Sequence, residues 1–63
     1  MIEVVLYTRA NCHLCHQTEA DLNRLQVSIP HRLSVIDIDQ SPDLQEEFGY
    51  LIPVVEVGSI RLE

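Results

Sequence analysis

Residues 2–15 read IEVVLYTRANCHLC, an apolar run that leads through a short polar connection to two cysteines. The run Ile2–Tyr7 is rich in β-branched residues and almost continuously apolar, which is typical of a strand covered on both faces. From Cys12 to about Leu25 the pattern is helical. Asn11 is the predicted N-cap, because its side chain can accept from a free N–H of the first turn. The predicted inner face of this helix carries Cys15, Thr18, Leu22 and Leu25.

The rest of the chain completes a β-α-β-α-β-β order. Leu33–Ile38 is the second predicted strand, and its Ser34 and Asp37 make it more polar than the first, as an edge strand can be. Two strands and a helix within 38 residues form a βαβ unit, so the strands should be parallel with a right-handed crossover. The later elements are a short helix begun by Ser41, Pro42 and Asp43 and ended by Gly49, and a hairpin of Pro53–Val57 and Ile60–Glu63 around Gly58-Ser59.

Length and composition limit the classes of function that this chain can have. The 63 residues, 46% of them hydrophobic, are enough for one packed domain, 1–63. The net charge of −6, with four arginines and no lysine, argues against nucleic acid as a partner, since phosphate contacts need clustered positive charge. No run approaches the roughly 20 apolar residues of a membrane span, and no secretory signal is visible. We therefore expect a cytoplasmic protein, whose thiols normally persist.

The motif Cys12-His13-Leu14-Cys15 carries the clearest chemistry. A C-x-x-C at the start of the helix in a βαβ unit is typical of a redox dithiol. Cys12 lies at the helix N-terminus, where free N–H groups and the dipole favour the thiolate, the species that attacks a disulfide. Cys15 lies one turn deeper. Cys12 is thus the predicted nucleophile and Cys15 the resolving thiol of a disulfide oxidoreductase.

Other interpretations of these residues stay open. The cysteines could hold zinc with a histidine, bridge an iron–sulfur cluster between subunits, or form a buried structural pair. Zinc would need four ligands, and the chain has neither a second C-x-x-C nor an H-x-x-x-H, so no metal is predicted. The non-enzymatic alternative is a module that binds a metal, a cluster or a partner protein through the same loop.

Nearby polar residues have a functional and an ordinary interpretation. His13 either favours the thiolate when protonated or shapes the substrate surface. Arg9 either steers an anionic substrate and supports the thiolate, or is simply solvated. A proton relay through Asp37 and Asp39 is the less favoured alternative to an exposed strand face and a loop. His16 is predicted to be solvated and His31 to lie in a loop.

The motifs together resemble the glutaredoxin-like family of small thioredoxin-fold proteins. The resemblance spans nearly the whole chain, through Val5–Arg9, the dithiol, Val35–Asp39, and Ile52-Pro53-Val54-Val55 with Gly58. It implies an α/β, thioredoxin-like four-stranded mixed sheet of order 2-1-3-4, with the third strand antiparallel to the first. It also implies that Pro53 is a cis-proline beside the dithiol, and that the backbone of Ile52 pairs with an extended substrate.

The chain departs from this family in three places. His13-Leu14 stands where glutaredoxins carry Pro-Tyr, and only Gly58 remains of the Gly-Gly that helps to hold glutathione. The family's C-terminal helix has no counterpart in these 63 residues, so we expect Ile60 and Leu62 to be exposed here. Either the native chain is longer or another surface covers this face, and we expect self-association through it. No cofactor is predicted; glutathione is one candidate reductant. The predicted partners are a disulfide-containing protein or a small thiol, bound through Arg9, His13, Leu14, Ile52 and Pro53.

Overall fold

A computed structural model describes every residue from Met1 to Glu63. Two helices flank a four-stranded sheet, and neither helix is long and apolar enough to cross a membrane. A 3-10 turn, Ile38–Gln40, connects the second strand to the second helix. In chain order the other elements are β1 (Ile2–Thr8), α1 (His13–Leu25), β2 (His31–Asp37), α2 (Pro42–Phe48), β3 (Val54–Val57) and β4 (Ile60–Leu62).

The sheet has the predicted order, β2-β1-β3-β4. β1 pairs with β2 in parallel, as the βαβ pattern requires, and β3 runs antiparallel to β1. β4 returns antiparallel to β3 through Gly58, whose φ of 60° suits glycine in a tight hairpin. The carboxyl end of β1 therefore lies beside the beginning of β3, and the loop to α1 starts at that edge.

One face of the sheet, the α2 face, is tightly packed. The ring of Tyr7 stacks on Phe48 of α2 with centroids 4.2 Å apart. Phe48, Ile38 and Val54 form the buried cluster beneath this pair. At its rim Arg61 of β4 lies over the Phe48 ring, 4.9 Å from its centroid, so α2 is held by both apolar and charged contacts.

The opposite face, the α1 face, is covered only in part. Val4, Leu6 and Thr8 of β1 alternate with the residues of the α2 face and are all buried. Because α2 lies on the other side, α1 is the helix that covers them. Farther across the sheet Ile60 and Leu62 are 62% and 56% exposed, which confirms the exposure predicted for them.

Three local predictions were wrong. β2 begins at His31 rather than Leu33, and His31 is buried instead of lying in a loop. Its N–H donates to the side chain of Gln26 (3.0 Å), and its Nδ1 donates to the carbonyl of Ile29 (2.7 Å), so the end of α1 is tied to the start of β2. Ile38 leaves the strand and becomes the fully buried start of the 3-10 turn.

The inner stripe of α1 also differs from the predicted one at its end. Leu25 is exposed and Gln26 is half-buried, because a helix of 3.6 residues per turn brings position 26 rather than 25 back over Cys15 and Leu22. Glu19 is half-buried on the same stripe. At the end of α2, Gly49 keeps helical dihedral angles (φ −54°), so the helix closes without the left-handed residue expected there.

Candidate active site

The two cysteines form a disulfide across the first turn of α1. Their Cα atoms are 5.2 Å apart, within the normal range for a disulfide. Cys12 is half-buried at the end of the loop, whereas Cys15 is completely buried. A reagent in solution therefore reaches the sulfur of Cys12 more readily than that of Cys15.

Cys12 is itself the N-cap of α1, and the prediction that Asn11 has this role was wrong. The Sγ atom of Cys12 accepts a hydrogen bond from the N–H of Cys15 at 3.1 Å, while Asn11 is exposed one residue before the cap. The α1 first turn carries no acidic residue that would compete for its positive end. Such a site favours negative charge on the capping sulfur.

The loop that presents Cys12 is closed by Arg9. The carbonyl of Arg9 accepts from the N–H of Cys12 at 3.1 Å. Its side-chain Nε donates to the carboxylate of Asp39 at 3.0 Å, and the amide of Gln45 donates to the same oxygen at 3.1 Å. Asp39 thus anchors Arg9 from the 3-10 turn, and the Nη groups of Arg9 stay free of protein partners.

The two residues between the cysteines face outward. His13 is exposed, and Leu14 is 62% exposed despite its apolar side chain. His16, on the next turn, is exposed as predicted. A surface of one imidazole and one aliphatic side chain therefore borders Cys12.

Ile52 and Pro53 lie at the same edge of the sheet as the dithiol loop. Val54, the next residue, pairs with Tyr7 near the end of β1. The Ile52–Pro53 peptide bond is cis, which confirms the conformation that the resemblance implies. The N–H of Ile52 donates to the carbonyl of Phe48 at 3.2 Å, and its side chain packs against the cluster beneath α2.

The contacts of Asp37 and Asp39 favour a structural role for both residues over the proton relay, which was the less favoured interpretation. Asp37 accepts from the backbone N–H of Asp39 at 2.9 Å, Asp39 pairs with Arg9, and neither carboxylate is hydrogen-bonded to a cysteine. No three side chains of the His, Cys, Asp and Glu types come together as a metal site.

Comparison with known proteins agrees with this geometry. The profile of the family described as Glutaredoxin-like domain (DUF836) matches residues 3–63. The chain belongs to that family. No curated protein matches this glutaredoxin-like domain.

Two solved structures share its architecture. The solution NMR structure of protein Ne2328 from Nitrosomonas europaea is 34% identical, with a TM-score of 0.77 over 89% of this chain and 66% of that one. The crystal structure of oxidised mitochondrial thioredoxin 3 from Saccharomyces cerevisiae is 22% identical, with a TM-score of 0.74 over 98% of this chain and 65% of that one. At that lower identity the likeness concerns the fold alone. The glutaredoxin-like domain spans about two thirds of the length of either neighbour.

Sequence reasoning missed two features of the site. Arg9 pairs with Asp39, 30 residues along the chain, and Gln45 donates to the same carboxylate oxygen; no local pattern encodes the contact between Arg9 and Asp39. Thr8 is buried, and its hydroxyl has no hydrogen-bond partner. The burial of Thr8 could have been predicted from the sequence, because Thr8 alternates with the apolar residues Val4 and Leu6 along β1, just before the dithiol loop.

Proposed function

We propose that this glutaredoxin-like domain is a thiol–disulfide oxidoreductase with Cys12 as nucleophile and Cys15 as resolving thiol. The observation that supports it best is the disulfide itself. The disulfide spans a helix N-terminus, with the capping sulfur accessible and the other sulfur buried. A bond that only braced the fold would gain little here, because it closes a ring of four residues.

The reduced protein reacts in two displacements. The Cys12 thiolate attacks one sulfur of a substrate disulfide; a Cys12–substrate disulfide forms, and the other substrate sulfur leaves with the electron pair and takes up a proton. The Cys15 sulfur then attacks Cys12, the internal disulfide forms, and the second substrate thiol is released with the proton that Cys15 gave up. Two electrons pass to the substrate, and an external thiol must return them.

The N-cap geometry gives Cys12 its reactivity. In the reduced protein the N–H of Cys15 and the positive end of α1 stabilise a thiolate, so we expect the pKa of Cys12 to fall below the ordinary value of about 8.5. His13, exposed beside it, adds positive charge when it is protonated.

The five residues Arg9, His13, Leu14, Ile52 and Pro53 are the proposed substrate surface. The free Nη groups of Arg9 suit an anionic substrate group. Leu14 offers an apolar contact beside the nucleophile. An extended substrate at Ile52 would use the carbonyl oxygen of Ile52, because its N–H already donates to Phe48.

The electron carrier in this proposal is the sulfur pair, without a resident cofactor. Glutathione or another small thiol would reduce the disulfide, and the substrate would be a disulfide-containing protein or small molecule. A cytoplasmic location stays a prediction from the free-thiol chemistry.

A matched pair of variants tests the proposal. We expect Cys12→Ser to lose disulfide reduction down to the uncatalysed rate, measured with glutathione disulfide as substrate. Cys15→Ser should still attack but should stay trapped, gaining the mass of one glutathione. In the reduced wild type the ultraviolet absorbance of thiolate should rise at a pH well below the free-cysteine value, and Cys12→Ser should remove this early rise.

Other outcomes would overturn the assignment of roles. Glutathione trapped on Cys12→Ser rather than on Cys15→Ser would reverse nucleophile and resolving thiol. Purified protein that carries zinc or a coloured cluster and does not exchange disulfides would point to the binding module instead.

A further inference from the structure

Thr8 places an unpartnered hydroxyl in the interior of the α1 face. The residue is 8% exposed, and its Oγ1 atom is buried without a hydrogen bond. Buried hydroxyl groups nearly always have a partner, because losing water without a replacement is unfavourable. The hydroxyl of Thr8 is therefore free to donate to a protein group that becomes an acceptor in another state of the protein.

The fold brings Thr8 to the interior side of the dithiol. Thr8 shares a face of β1 with Leu6 and Val4; α1 contacts β1, and α2 packs on the opposite face, so we place this face against α1. α1 begins after a single turn, closed by the bond from the Cys12 N–H to the Arg9 carbonyl. Cys15 is the one buried residue of α1 and lies in its first turn. Both buried groups therefore occupy the contact between the end of β1 and the beginning of α1.

Cys15 needs such a donor only when the disulfide is open. As part of the disulfide its sulfur is neutral and bonded to Cys12. During the second displacement the same sulfur must become an anion in a site that water does not reach, and a buried anion is strongly disfavoured without a hydrogen-bond donor.

We propose that the Thr8 hydroxyl donates a hydrogen bond to the sulfur of Cys15 once the disulfide opens, and so promotes release of the substrate. The assignment rests on the proposed exchange function. Thr8 keeps its own proton throughout. The Cys15 proton goes to the departing substrate thiol, one sulfur–sulfur bond forms between Cys15 and Cys12, and one breaks between Cys12 and the substrate.

The charged groups around Cys15 do not supply this donor. Glu19, one turn along the inner stripe of α1, is a carboxylate and can only oppose a second negative charge. Arg9, in the adjoining loop, pairs with Asp39 through Nε alone, and its side chain is 37% exposed, so its free Nη groups are open to water and are not enclosed with the buried sulfur. Thr18, on the same stripe as Cys15, is half-buried and supplies a control hydroxyl that has access to water.

The two displacements can be timed separately in one experiment. Reduced protein is mixed with the aromatic disulfide dithiobis(nitrobenzoate), which releases one coloured thiol when Cys12 attacks and a second when Cys15 does. For Thr8→Val, which keeps the shape and removes the hydroxyl, we expect the second phase to slow about three- to tenfold. A rise of one unit in the pKa of Cys15 lowers its thiolate fraction tenfold, and the higher nucleophilicity of the more basic thiolate offsets part of this loss. The first phase should stay the same.

Three further variants identify the hydroxyl as the cause. Thr8→Ser should restore the second phase, Thr18→Val should leave it unchanged, and Thr8→Ala gives a second hydroxyl deletion if the valine variant does not fold. An unchanged second phase in Thr8→Val or Thr8→Ala, or equal slowing of both phases, would overturn the proposal.

A titration separates this proposal from the proposed function. With Cys12→Ser as background, the pKa of Cys15 is read from ultraviolet absorbance with and without Thr8→Val. A higher pKa in the double variant supports the hydrogen bond even if the wild type exchanges no disulfide, which would refute only the function. Equal pKa values would refute the role of Thr8 whatever the activity.

Discussion

The two faces of the sheet differ in how completely they are packed. On the α2 face, Phe48 is buried between the Tyr7 ring and the side chains of Ile38 and Val54. On the α1 face, Val4, Leu6 and Thr8 of β1 are buried, whereas Ile60 and Leu62 of β4 are largely exposed. The residues of both faces alternate along the same strands, so the difference arises from what lies above them.

The α2 face also carries the cooperative polar contacts. Glu56 accepts hydrogen bonds from the hydroxyl of Tyr7 at 3.1 Å and from Arg61 at 3.0 Å. Arg61 also donates a hydrogen bond to Glu47 of α2. This network links β1, β3, β4 and α2 around Phe48. The α1 face instead contains the cysteine pair and the unpartnered Thr8, so the polar network and the candidate active site lie on opposite faces of the sheet.

The largest effect is expected for Phe48→Ala. Removing a buried phenylalanine typically costs about 3–5 kcal/mol, which equals the whole stability that a core of this size usually provides. The variant should be largely unfolded at 25 °C by circular dichroism and urea titration. Tyr50→Ala is the matched control, because Tyr50 is completely exposed and should change stability by less than about 0.5 kcal/mol. A folded Phe48→Ala protein would show that the α2 face is not the main source of stability.

A smaller, pH-dependent effect is expected for Tyr7→Phe. The variant keeps the ring stack and loses the hydrogen bond to Glu56, which should cost about 0.5–1.5 kcal/mol near pH 7. Burial, followed by the hydrogen bond and the charge of Glu56, raises the pKa of Tyr7 above its usual value. The folded protein therefore holds this proton more tightly than the unfolded chain does.

The sign of the pH effect follows from that difference. The stabilisation from Tyr7 is fully present below the unfolded pKa of about 10 and is lost as the pH rises through the folded pKa. The difference in urea midpoint between wild type and Tyr7→Phe should accordingly narrow above pH 10. Tyr50→Phe should match the wild type at every pH. A gap that stays constant with pH would contradict the link between Tyr7 ionisation and stability.

The smallest effect on stability is expected for Ile60→Thr on the open part of the α1 face. Threonine suits a strand, and the side chain it replaces is mostly exposed, so the change should stay within about 0.5 kcal/mol. The same variant tests the predicted self-association. The average mass of the wild type in sedimentation equilibrium should rise with concentration, and Ile60→Thr should weaken this rise. A wild type that stays monomeric at all concentrations would refute the prediction.

Part of the candidate site was accessible to sequence reasoning. The spacing of Cys12 and Cys15, and their place between a strand and a helix, follow from local pattern. The identity of the N-cap residue does not follow from local pattern, because Asn11 and Cys12 are both able to cap the helix. The turn closed by the carbonyl of Arg9 decides between them. The partner of Arg9 is likewise set by the position of the 3-10 turn, far along the chain.

The sequence by itself determined the order of strands and helices, the parallel pairing of β1 with β2 and the dithiol at a helix start. Those features depend on hydrophobic periodicity and on spacings of a few residues. Only the tertiary structure decided that His31 is buried, that the hydroxyl of Thr8 has no hydrogen-bond partner, that Arg9 pairs with Asp39, and that one face of the sheet is more completely packed than the other. These outcomes depend on which distant segments pack over a residue, and the neighbouring sequence does not specify those segments.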